Sequence, residues 1–96
     1  MLYMVVERFK EGAVSKIYQR LRDSGRMMPD GLEYVSSWID SEYRICFQLM
    51  RTDDRSHFKQ WTDHWDDLME FEITPVQTSA EVVAVLSESS ATPGQE

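Results

Sequence analysis

The sequence predicts an α+β domain built on one antiparallel sheet with both helices on the same face. Two observations carry this prediction. Along the chain the hydrophobic period switches between about two and about 3.6 residues, in the order strand, helix, strand, strand, helix, strand. The two middle strands are also separated by too few residues for a crossover, so they must form an antiparallel hairpin.

Leu2 to Phe9, LYMVVERF, opens the chain as a strand rich in apolar and β-branched residues, with Glu7 and Arg8 placed where it leaves the sheet. Val14, Ile17, Tyr18 and Leu21 then line one side of a helix that ends near Ser24, with Gly25 just beyond its end. Met28 precedes a proline, and Pro29-Asp30-Gly31 has turn chemistry, so a loop follows. Leu32 to Ile39 and Tyr43 to Arg51 are the hairpin strands, joined by Asp40-Ser41-Glu42.

The most informative stretch is DDRSHFKQWTDHWDDLMEFEITPV, from Asp53 to Val76. Phe58, Trp61, Trp65 and Leu68 recur at intervals of three, four and three, one face of a helix, while Lys59, Asp63, Asp66 and Asp67 fall on the solvated face. Asp53 or Asp54 supplies the N-cap. Phe71 and Ile73 then alternate with Glu70, Glu72 and Thr74, which is a strand with two unlike faces. A short apolar helix follows from Ser79 to Leu86. One domain therefore spans residues 1–86, and the small polar segment 87–96, with Pro93-Gly94, is expected to be a disordered tail.

This order is the split βαβ, ferredoxin-like arrangement. With two helices on one face, the other face of the sheet carries exposed apolar side chains and needs a cover. A second copy of the same sheet is the natural one, so the sequence predicts a homodimer.

Composition narrows the function classes. The apolar content of 42% suits a folded core, and no apolar run approaches the ~20 residues needed to cross a bilayer. No secretory leader is seen and Cys46 is the single cysteine, so no internal disulfide forms and a cytoplasmic location is expected. The net charge is −7, with 17 acidic and 10 basic residues and no basic run, which argues against nucleic-acid binding.

The segments GRMMPDGLEYVSSW, RICFQLM and WTDHWDDLMEFEITPV together resemble the bacterial domain-of-unknown-function 3303 family over roughly residues 2–86. The resemblance implies membership among the dimeric α/β barrels, in which two ferredoxin-like sheets pack face to face. It implies no activity. That superfamily includes cofactor-independent monooxygenases, lactone isomerases and haem-degrading enzymes, the last using an Asn, a Trp and a His around haem. This chain has no asparagine, so haem chemistry is not carried over, and no cofactor is expected.

On the third strand Ile45, Phe47 and Leu49 share one face, and Arg44, Cys46, Gln48 and Met50 the other. The apolar set is assigned to the helices and the mixed set to the barrel interior. There Arg44 would hold an anionic group, Gln48 would orient it, and Glu72 would act as base; a plain structural Arg–Glu pair, or exposure beyond the barrel rim, is the competing reading. Trp38 faces the helices if the hairpin loop has two residues and pairs it with Ile45. One residue more or fewer turns it into the interior beside Arg44. Cys46 suits a packed thiol at least as well as a nucleophile.

His57 and His64 lie seven residues apart on one helix, about 10 Å along its axis, too far to share a metal ion, so no metal site is expected. His64 flanks Trp61 and Trp65 and could shuttle a proton, although an edge-of-core histidine explains it as well. Asp67 is expected to bridge to Arg26 or another arginine. Two functions fit: a cofactor-free oxygenase- or isomerase-like protein binding a small molecule in the barrel interior, or a non-catalytic structural or regulatory dimer.

Overall fold

A computed structural model describes residues 1–89. In chain order it contains β1 (Leu2–Phe9), α1 (Val14–Ser24), β2 (Glu33–Ile39), β3 (Ile45–Arg51), α2 (Ser56–Thr62), β4 (Met69–Val76) and α3 (Ser79–Ser89). The four strands form one sheet in the order β2-β3-β1-β4, with every pairing antiparallel. This is the ferredoxin-like arrangement. The helix begun at Ser79 runs on to Ser89, so residues 87–89 are helical, and the rest of the expected tail lies outside the described residues. No described helix is long and apolar enough to cross a membrane.

Tyr3 and Val5 of β1, Met50 of β3 and Met69 of β4 are buried against Ile17 of α1 and against Phe58, Trp61, Trp65 and Leu68. Tyr3 meets Phe58 edge-on, with ring centroids 5.0 Å apart, and Trp61 meets Phe71 at 5.3 Å. Burying a side chain of Phe size stabilises the fold by roughly 1.5–3 kcal/mol, so the aromatic stripe is a principal term in this small core.

The helical repeat of that stripe outlives the helix itself. α2 ends at Thr62, yet the amides of His64, Trp65, Asp66 and Leu68 still reach back to the carbonyls of Trp61, Thr62, Thr62 and Trp65. These tight turns keep Trp65 and Leu68 on the buried side. Arg20 of α1 clamps them from outside, donating to both oxygens of Asp67 at 2.8 and 2.9 Å and to the His64 carbonyl at 2.8 Å. Arg20, not Arg26, is therefore the partner of Asp67.

Local chemistry sets the ends of the elements. Gly25 follows α1 at φ +69° and its amide reaches the Leu21 carbonyl at 2.8 Å. Arg55 is the residue before α2 but makes no side-chain cap; the Asp54 carboxylate instead accepts the Ser56 amide at 2.9 Å. α3 opens with a reciprocal capping box, Thr78 amide to Glu81 carboxylate at 2.7 Å and Glu81 amide to Thr78 hydroxyl at 3.0 Å.

The hairpin loop corrects two expectations. The Asp40 carboxylate accepts the amides of Glu42, Arg44 and Ile45 at 3.1, 2.6 and 2.7 Å, and these bonds hold its carboxyl below the usual range. With Tyr43 in the left-handed region at φ +60°, β3 starts at Ile45 rather than Tyr43. The register then pairs Ile39 with Cys46, Ser37 with Gln48 and Trp38 with Phe47 rather than with Ile45.

The face assignment of β3 is also reversed. Gln48 and Met50 are buried beneath the helices, with Cys46 partly so, while Phe47 is exposed on the opposite side. Hydrophobicity could not choose between the two sets because both faces of this sheet are apolar. Leu2, Met4 and Val6 of β1 share the open face with Ile45, Phe47 and Leu49, and Trp38, 54% exposed, stands opposite Phe47. A β-bulge between Tyr34 and Ser36 shifts β2 locally against β3.

Candidate functional site

Period-two alternation on β1 places Glu7 on the same side as Tyr3 and Val5, facing the helices. Glu7 is 7% exposed and pairs in register with Cys46 of β3. The two side chains flank a cavity of about 170 Å³ between α1 and the sheet, walled by Ile17, Tyr18 and Leu21 of α1 and by Trp61 and Trp65. Gln48, Arg26 and Met69 also border it. Apolar walls with a few convergent polar groups are the usual make-up of a small-molecule site.

Burial dominates the electrostatics. It pushes the Glu7 carboxyl up to about 7, against the opposing pull of a hydrogen bond from Cys46 and the positive charge of Arg26. The Cys46 thiol is pushed up to about 12 by burial and by the neighbouring Glu7, and the Tyr18 hydroxyl is raised by burial and by the neighbouring Cys46 and Glu7. Cys46 therefore stays a neutral thiol near neutral pH and is not an activated nucleophile. Glu7 is the group that can exchange a proton there.

Arg26 is held from both ends. Its carbonyl accepts the indole N–H groups of Trp61 and Trp65 at 3.1 and 3.0 Å, and its guanidinium lies 3.8 Å from the centroid of the Tyr34 ring. The Tyr34 hydroxyl is in turn bonded to the Ser37 hydroxyl at 2.7 Å. Met27 at φ +59° completes the turn that swings the loop over the tryptophans. The aromatic stripe of the sequence thus both fills the core and fixes a basic side chain at the pocket.

The structure does not bring the proposed Arg44–Gln48–Glu72 triad together. Arg44 lies in the hairpin loop, exposed, 3.7 Å from Glu42, and borders a separate open depression near Lys10 and Tyr43. Glu72 is on the open face of β4 and pairs with Arg8 at 2.9 Å. Gln48 and Cys46 line the helix-side cavity, where the Gln48 amide meets Met50 Sδ at 3.4 Å. Trp38 touches that cavity from the outermost strand while facing the open side. His64 is exposed. Among the described residues no His, Cys, Asp and Glu group has the makings of a metal site.

Glu7, Arg26 and Tyr18 were not singled out from the sequence as site residues. Glu7 had a usable signal: it continues the buried parity of Tyr3 and Val5, where an acidic residue is costly unless it has a task. Arg26 had none, since its position depends on two indoles 35 and 39 residues away.

The fold and site thus define an α+β, ferredoxin-like protein with a helix-covered pocket around a buried carboxyl. The chain belongs to the family described as a domain of unknown function, DUF3303, whose model matches residues 1–90. Searches of the curated proteins and of the solved structures each returned no match.

Proposed function

We propose that this protein binds a small molecule in the pocket beneath α1 and moves a proton on it with Glu7, as a cofactor-free isomerase-like enzyme. The observation carrying this reading is the Glu7 carboxyl, nearly enclosed among aromatic and aliphatic walls and poised to ionise at about 7. A carboxyl of that kind takes a proton from one carbon of a carbonyl compound and returns it to another, so the reaction balances with no second reactant. Cys46 keeps the carboxyl oriented, and Gln48 is placed to align a ligand carbonyl. The isomerase-like form is preferred to an oxygenase because it needs nothing beyond these side chains. A fragment screen by ¹H–¹⁵N NMR tests the reading. Shifts concentrated at Cys46, Tyr18 and the Trp61 and Trp65 indoles support it, and a screen without hits at this pocket contradicts it.

The protein acts, in the same reading, as a homodimer of the dimeric α/β-barrel kind, in a reducing bacterial cytoplasm. Support comes from the open face of the sheet. Its centre is apolar, with Met4, Val6, Phe47, Leu49 and Trp38, and it is edged by the ion pairs Arg8–Glu72 and Arg51–Glu33. An apolar centre inside a charged rim is the anatomy of a protein interface, and one copy's face can cover the other's about a two-fold axis. Exposed Val82, Val83, Val85 and Leu86 of α3 extend the apolar surface available to a partner.

A further inference from the structure

We propose that the pocket takes a small planar carboxylate, a single ring bearing one carboxylate group, with Arg26 as its anchor. This rests on the small-molecule reading above and names the class of ligand. Arg8, Arg20, Arg44 and Arg51 each have a carboxylate within 4.0 Å, whereas Arg26 has none among the described residues. A half-buried guanidinium without a counter-ion is costly unless something arrives to pair with it.

Arg26 is also prepared for that partner. Two indole N–H groups fix its backbone and the Tyr34 ring supports its plane, so little side-chain freedom remains to be lost on binding. A planar fork of this kind matches a carboxylate through two parallel hydrogen bonds. The adjoining walls suit a ring: Tyr18, Trp61 and Trp65 are aromatic, and about 170 Å³ is close to the ~150 Å³ that holds one benzene.

The charges facing Glu7 fit the same ligand. Tyr18 faces it from α1, Cys46 from β3 and Arg26 from the α1–β2 loop. The lining residues from β2, β4 and α2 and the turns after it, among them Ser37, Ile39, Met69, Trp61 and Trp65, carry no charge. Burial favours the neutral forms of Glu7, Cys46 and Tyr18. Arg26 is the one permanent charge of the cavity, and an anionic ligand balances it.

The test compares benzoate with its uncharged analogue benzamide on the full-length ¹⁵N-labelled protein at pH 6, following the Trp61 and Trp65 indole N–H signals. Benzoate should bind about tenfold tighter, as befits a charge-assisted pair. Arg26→Gln should abolish that preference and leave the benzamide affinity in place. The indole anchors use the Arg26 carbonyl, which the variant retains, so preserved indole signals report an intact fold. Equal affinities with both ligands bound would overturn the carboxylate assignment, and a benzoate preference surviving in Arg26→Gln would overturn Arg26 as its anchor; either leaves the pocket reading standing. Indole signals that move with neither ligand would overturn both readings.

Discussion

The Glu7 carboxyl and the Cys46 thiol are register partners on β1 and β3 and lie side by side beneath α1. A buried acid beside a neutral thiol is an arrangement whose cost varies with pH. Glu7 ionises at about 7 in the folded protein against an ordinary 4.5, so between those values the unfolded chain releases its proton first. The stabilising contribution is thus complete below 4.5, falls by about 1.4 kcal/mol per pH unit through the window, and is gone above 7. Glu7→Gln removes this slope. In urea titrations at pH 5 and pH 8 the parent should lose about 2–3 kcal/mol relative to the variant on going to pH 8. A constant difference between the two proteins would contradict the burial of an ionisable Glu7.

The shared acceptor at Arg26 makes a second prediction. Either Trp61→Phe or Trp65→Phe leaves one indole on the Arg26 carbonyl, and each should cost about 1–2 kcal/mol through the lost hydrogen bond and ring area. The double variant strips the carbonyl of both donors and should cost more than the two singles together. Strict additivity in denaturant midpoints would mean that the two indoles act independently.

Gly31 faces His57 at close range. Its φ is +93°, and a Cβ placed there would lie 2.7 Å from His57 Nε2, on a ring whose Nδ1 is already buried with no hydrogen-bond partner among the described residues. Gly12 has a similar φ of +75° and open space around it. Gly12→Ala should cost roughly 1 kcal/mol for the backbone alone, and Gly31→Ala clearly more, since the imidazole must also move. Equal losses in thermal unfolding would show that the ring moves aside freely.

The open face supplies the oligomer prediction. Phe47→Arg places a charge at its centre, on a side chain that does not contribute to the helix-side core. Sedimentation equilibrium should give a dimer for the parent and a monomer with unchanged circular dichroism for the variant. A parent that sediments as a monomer at micromolar concentration would refute the paired-sheet account.

Much of the fold was legible because each element states its own period. The stripe of Phe58, Trp61, Trp65 and Leu68 announces helical spacing even where hydrogen bonding passes from helix to turns, and Gly25 marks its helix end unaided. The orientation of β3 was not legible. Alternation separates Phe47 from Gln48, but a sheet apolar on both faces gives no reason to choose which looks at the helices. The hairpin loop could not decide it either, because its length depends on three amides gathered by Asp40, which no periodicity records. That reversal displaced the site: the polar residues Cys46 and Gln48 do line a pocket, but it lies under α1, with Glu7 and Arg26 in place of Glu72 and Arg44.

A ¹³C NMR titration of the glutamate side-chain carboxyls, assigned with Glu7→Gln, reads the buried acid at Glu7 without an intermediary. One carboxyl, missing in the variant, should titrate with a midpoint near 7. A Glu7 midpoint at the ordinary 4.5 would show that water reaches the carboxyl freely, and the pocket would lose its acid.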